Sequence, residues 1–268
     1  PLHLWLPNAY TYAPSAITSF LAATATKVAI YVLLRFLFRV VQPGCLAEVP
    51  TLDLLLYPFA ILAMFAASYT AILQRDLKRM LAYSSIGQVG YMLLGVALLS
   101  KSGLMATMIH LFNHGITKAA LFMGVGVYVL NGGGSFYHNL RGRGKTMPWT
   151  SAAMVVAGLS LIGVPGTAGF LSKWLLVEAA LAQGMWPIAL LIVASSLLAV
   201  IYVWKLIETL YLAQPADGLQ DQNVPLMMMI PLWVMALACI YFGFDTDITL
   251  SAARSAAEGL LAGSAGMR

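Results

Sequence analysis

Apolar and polar positions alternate along this chain on the scale of whole membrane crossings. Runs of about 20 apolar residues are separated by short polar loops, and a helix of that length can cross the hydrocarbon core with its backbone groups bonded internally. The runs predict helical spans at 14–41, 51–74, 77–99, 103–130, 148–183, 187–212 and 225–244. The fifth is too long for one straight span. Its middle reads Gly163-Val164-Pro165-Gly166-Thr167-Ala168-Gly169, which unwinds a helix. We read it as one broken helix with halves near 148–163 and 170–183, giving seven spans in an all-α polytopic membrane protein.

Composition supports the pattern. Hydrophobic residues make up 60% of the 268 and charged residues 9%, with a mean hydropathy of +0.84. A soluble domain carries about a quarter of charged residues. Lipid must therefore be the outer solvent, and a multi-pass protein of the cell inner (plasma) membrane is expected.

The net charge of +5 comes mostly from short loops, where it reports orientation rather than a nucleic-acid partner. With alternating spans, Arg75, Lys78, Arg79, Arg141, Arg143 and Lys145 fall on one side. Lys101 lies on the other, with Arg35 and Arg39 at a helix end. The first side is expected to be cytoplasmic and the C-terminus outside. The tail after Asp245 reads as an amphipathic or frayed helix. Three parts follow: 1–13, a helix end and loop; 14–212, the main membrane domain; and 213–268, a last span and tail. Pro1 opens the sequence with no signal-peptide pattern, so a start inside a longer protein is expected.

The familiar cofactor signals are missing from the sequence. No Walker-type loop, GxGxxG or CxxCH occurs, and Cys45 and Cys239 have neither disulfide-framework nor zinc spacing. We expect a transporter subunit rather than an enzyme, with no cofactor and no metal site.

The candidate chemistry lies in charges placed inside the spans. Lys27 is near the middle of the first span, where burial costs at least ~3 kcal/mol. Such residues mark ion pathways by default; the alternative is a structural ion pair or packing anchor. The fourth span carries His110, His114 and Lys118 at i, i+4 and i+8, so three titratable groups form a column about 6 Å apart, flanked by Asn113 and Thr117. Imidazoles can relay protons through water near neutral pH. Interhelical hydrogen bonding is the alternative, and a His-based zinc site a remoter one. Lys173 follows the unwound segment, on the first turn of the second half-helix. Transporters place sites at such breaks, although capping of the freed carbonyls would use the same geometry. Ser84, Ser85, Gln88 and Tyr91 could line a hydrated path or simply pack. Glu178 falls off the face of Lys173, and Lys205 with Glu208 could form a local pair or an entry.

Five segments also carry a family resemblance, in order. They are Pro1-Leu-His-Leu-Trp-Leu-Pro-Asn-Ala, the Ala-Thr-Lys27 helix, the stretch from Gln74-Arg-Asp-Leu-Lys-Arg to Gln88-Val-Gly-Tyr91, the His/His/Lys helix, and Gly-Phe-Leu-Ser-Lys173. Over roughly residues 1–212 the chain resembles the antiporter-like proton-translocating subunits shared by complex I, membrane hydrogenases and Mrp-type cation/proton antiporters, and among these it most resembles the Mrp type.

The resemblance implies a fourteen-helix fold of two inverted five-helix repeats, of which this chain supplies the second half. It also implies a horizontal row of buried charges and water, with Lys27 as connecting lysine, His110, His114 and Lys118 as relay and Lys173 as exit residue. A glutamate and a lysine of the other half would lie before Pro1, so this chain alone should lack a complete proton path. Asn8 stands where the family often has a carboxylate, and Lys173 where one complex I subunit carries an acid. The implied function is proton translocation within a multisubunit Na⁺/H⁺ or K⁺/H⁺ antiporter. The alternatives are a redox-driven pump subunit of complex I or a hydrogenase, and a non-transporting scaffold. Implied partners are other membrane subunits, protons, Na⁺ or K⁺, and the lipid bilayer.

Overall fold

The computed structural model describes residues 3–41, 51–132, 134–214 and 224–262. Its longer helices are α1 Trp5–Tyr12, α2 Ser15–Arg35, α3 Thr51–Leu73, α4 Leu77–Ala97, α5 Lys101–Leu130, α6 Pro148–Ile162, α7 Ala168–Ala182, α8 Trp186–Ile207, α9 Leu226–Phe244 and α10 Asp247–Ala262. No strand occurs among the described residues. The chain is thus an all-α polytopic membrane protein. π-Helical stretches, Phe36–Val41 and Glu208–Leu212, extend α2 and α8. Cys45 lies outside the described residues.

The helix ends fall where local chemistry dictates. Asp76 caps α4 by accepting from Arg79 N at 2.9 Å, and Ser100 caps α5 by accepting from Gly103 N at 3.1 Å. Pro148 opens α6, where a missing N–H costs nothing. α6 stops at Gly163, whose φ of +91° is a left-handed conformation that only glycine adopts freely.

Five helices are long and apolar enough to cross a membrane by length and composition: Ser15–Val41, Leu55–Leu73, Leu77–Ala97, Trp186–Leu212 and Leu226–Phe244. α5 has 30 residues, but its polar column dilutes its hydropathy. α6 and α7 have 15 residues each, about 22 Å, so neither half crosses alone.

α5 is the centre of the bundle. α2, α4, α6, α7, α9 and α10 all pack on it. It carries large apolar side chains inward, such as Phe122, which meets Tyr10 edge-on at 5.6 Å. The outer helices point Phe20, Leu62, Leu197 and Leu237 away from the bundle, as lipid requires.

Backbone hydrogen bonds gather the basic loops at one end. Leu77 N donates to Ser135 O (2.7 Å), Tyr137 N to Arg75 O (3.1 Å) and Gly142 N to Thr209 O (3.0 Å). Arg75, Lys78, Arg79, Arg141, Arg143 and Lys145 therefore share one end, as the spacing predicts. Arg143 differs in being buried, with hydrogen bonds to Asn131 O and Asn139 O. Lys205 also lies at this end. It donates to Ile72 O (2.9 Å) and Gln74 O (2.8 Å) and covers the Tyr137 ring, a contact that replaces the local pair with Glu208.

The tail is an amphipathic helix, one of the two forms expected of it, and it is docked on the bundle. Phe242 meets Phe112 at 5.0 Å, so α9 ends near the middle of α5. α10 then continues beside α5, burying Thr249, Ala253, Ala257 and Leu260, until Glu258 pairs with Lys101 at 2.6 Å. α9 and α10 together run the length of α5. Asp245 and Thr246 break the helix, and the small alanine side chains let α10 lie close.

Candidate functional site: a buried row of lysines and histidines

The break between α6 and α7 brings polar groups to the middle of α5. Asn113 Nδ2 donates to Ala168 O, and Thr117 Oγ1 lies 3.0 Å from Ser160 Oγ. Ser160 Oγ in turn accepts from Gly169 N at 3.3 Å. A Cβ on residue 169 would collide with Ser160 O, so glycine is needed for the two half-helices to approach. α5 thus fixes the unwound segment with side chains adjoining its histidines.

All five predicted residues are buried, at 7% exposure or less. The His110 and His114 rings are stacked, 6.0 Å apart and 2° from parallel. His110 Nδ1 lies 2.8 Å from Ser172 Oγ. The Ser172 hydroxyl donates to Gly169 O, which leaves its oxygen to accept from Nδ1–H. Lys118, one turn beyond His114, turns towards α4 and donates to Leu81 O (2.8 Å) and Ser84 Oγ. Lys27 lies against α5 beside Gly115 and donates to Ala22 O of its own helix.

Lys173 closes the other end of the row. Because α7 starts at Ala168, Lys173 stands in its second turn, not its first. From there it reaches back to Ile162 O (2.7 Å) and Leu161 O (3.1 Å), the last carbonyls of α6. Its ammonium lies 4.9 Å from the centre of the Tyr91 ring, and His110 lies 5.7 Å from the same ring. Capping and a place in the row are therefore combined in one residue.

Two electrostatic features define the site. Among the described residues Asp76 is the one buried acid, and it sits at the loop end. The interior lysines are held by carbonyls, a hydroxyl and a ring rather than by carboxylates. Further, His110 Nε2, both His114 nitrogens, Asn113 Oδ1 and Thr26 Oγ1 are buried without a protein partner. Such atoms are rare in folded proteins and are commonly satisfied by water. No three His, Cys, Asp or Glu side chains gather among the described residues.

Sequence reasoning underrated Ser84 and Tyr91 and missed Ser172 and Ser160. Ser84 and Tyr91 are seven apart on one face of α4, and Ser172 adjoins Lys173, so part of the signal was present. Glu178 is exposed and away from the row, as its spacing predicts.

Comparison with known proteins agrees with this architecture. The family model described as "NADH:quinone oxidoreductase/Mrp antiporter, TM" matches residues 1–199. NADH-quinone oxidoreductase subunit N of Desulforudis audaxviator is 37% identical over 264 residues, covering 94% of this chain and 52% of that protein. F(420)H(2) dehydrogenase subunit L of Methanosarcina mazei is 35% identical, covering 91% and 37%. Among solved structures, a chain of the Mrp complex from Dietzia sp. DQ12-45-1b superposes with a TM-score of 0.86 at 25% identity, covering 97% of this chain and 56% of that one. A chain of the archaeal membrane-bound sulfane sulfur reductase gives 0.85 at 32%, covering 97% and 52%. The chain spans between 37% and 56% of the length of these relatives. With the matched model covering most of its length, this chain belongs to the NADH:quinone oxidoreductase/Mrp antiporter transmembrane family.

Proposed function

We propose that this chain translocates protons as the second half of an antiporter-like subunit in a multisubunit complex of the cell membrane. Residues 14–212 carry the path. The observation that carries the reading is the buried row Lys118, His114, His110 and Lys173, with Lys27 beside it, which among the described residues has no carboxylate partners and leaves ring nitrogens without protein partners. Water bridging those nitrogens would let a proton step between imidazoles about one helical turn apart. Each proton added raises the cost of the next in so small a volume, so the groups titrate as a set. A scaffold would pair such charges off.

The first reading of the driving force is exchange against Na⁺ or K⁺, supported by the likeness to the Mrp complex chain over 97% of this sequence. A redox-driven pump is the second, favoured by relatives that are NADH-quinone oxidoreductase subunits. The test is proton flux in everted vesicles holding the full-length protein in its complex, with and without Lys173→Ala. Flux driven by added Na⁺ or K⁺ and lost in the variant supports the first reading. Flux that ignores these cations and follows NADH or hydrogen oxidation supports the second. Undiminished flux in the variant removes Lys173 from the path.

A further inference from the structure

A groove of about 260 Å³ opens where α2, α5 and α10 meet, at the end of the molecule away from Arg75. Tyr31, Leu34, Met108 and Leu260 give it an apolar lining, and Arg35 and Arg39 give it two guanidinium groups.

Depth matters first. Lys27 lies against Gly115, halfway along α5. At 1.5 Å per residue, Arg35 and Arg39 stand about 12 and about 18 Å along the helix from Lys27. The half-thickness of the hydrocarbon core is about 15 Å. With Lys27 taken as the bilayer midplane, the two cations bracket the boundary between acyl chains and headgroups.

Charge matters second. Arg39 Nη2 donates to Gly259 O at 3.0 Å, which anchors the last turn of α10 and leaves most of its donors free for another acceptor. The Arg35 guanidinium has no hydrogen-bond acceptor or acidic partner among the described residues. Glu258, the acid beside the groove, is taken by Lys101 at 2.6 Å. Lys101 and Arg254 both act on the Glu258 carboxylate, which leaves Arg35 and Arg39 without an acidic partner among the described residues. A guanidinium at this depth favours an anionic partner, and its planar fork matches phosphate oxygens.

We propose that this groove binds the phosphate of an anionic glycerophospholipid, with Arg35 as principal contact, Arg39 as second, and an acyl chain lying along Leu34, Met108 and Leu260. The assignment is independent of the transport reading. The test uses the full-length protein in its complex, reconstituted in nanodiscs of phosphatidylcholine with and without phosphatidylglycerol, and followed by native mass spectrometry. A retained phosphatidylglycerol is expected, weakened about tenfold or more by Arg35→Gln and kept in part by Arg35→Lys. Equal retention by Arg35→Gln overturns the proposal. So does equal retention of phosphatidylcholine by the unaltered protein, a measurement that needs no variant. Displacement of the lipid by excess inorganic phosphate would reassign the site to free phosphate and overturn the lipid assignment.

Discussion

His110 and Ser172 meet across the interface of α5 and α7, with Nδ1 and Oγ 2.8 Å apart, one residue before Lys173. The contact ties the first imidazole of the column to the half-helix that carries the terminal lysine. Ser172→Ala would leave a buried N–H without its acceptor, at about 1–3 kcal/mol. A lower thermal midpoint and a several-fold fall in proton flux are expected, short of the complete loss in Lys173→Ala. Unchanged flux would show that His110 needs no fixed tautomer.

Lys118→Ala separates transport from folding. Leu81 O also accepts from the Ser84 and Ser85 hydroxyls, so it keeps donors when the ammonium is removed. Assembly, checked by co-purification of the complex, should persist while flux disappears. Flux at the normal rate would take Lys118 out of the relay.

Gly169→Ala tests the break itself. The added methyl meets Ser160 O, and the half-helices must separate to admit it. A loss of about 1–3 kcal/mol is expected. It would be read as a lower thermal midpoint, with reduced flux because the Asn113 and Thr117 contacts shift as well. An unchanged midpoint would mean that the two halves are not held closely in the membrane.

The α10 clasp should respond to acid. The Lys101 ammonium, 2.6 Å away, holds the Glu258 carboxyl below its usual range. A depressed carboxyl stabilises the docked helix fully above the unfolded value of about 4.3. The contribution is lost as pH falls through the still lower folded value. Hydrogen exchange across Asp247–Ala262 should rise on acidification below pH ~4, and more in the parent than in Glu258→Gln, where the pair is already absent. The same acid response in both would place the sensitivity elsewhere.

Much of this fold was legible because membrane helices announce themselves by length, and the Gly163-Val164-Pro165-Gly166 stretch could hardly be helical. The column of His110, His114 and Lys118 followed from spacing alone. The start of α7 at Ala168 did not, since Ala168 and Gly169 were assigned to the loop by composition, and two residues move Lys173 into the next turn. The attachment of Lys205 to Ile72 O and Gln74 O was hidden for another reason. It joins residues more than a hundred positions apart, and no local pattern encodes it. The placement of α10 beside α5 was hidden in the same way, because alanine-rich stretches look alike whether they float or dock.

Lys101–Leu130 is a single uninterrupted helix, and this makes it a ruler. The stride from His110 to His114 to Lys118 is set by helical pitch, with every mark cut into one piece of backbone. A single residue inserted between His110 and His114 would swing everything beyond it by about 100° and advance it about 1.5 Å. Such a change deletes no charged group and leaves composition almost untouched, yet it would aim two of the three groups into different neighbours. The interval between these histidines is fixed by the helix itself.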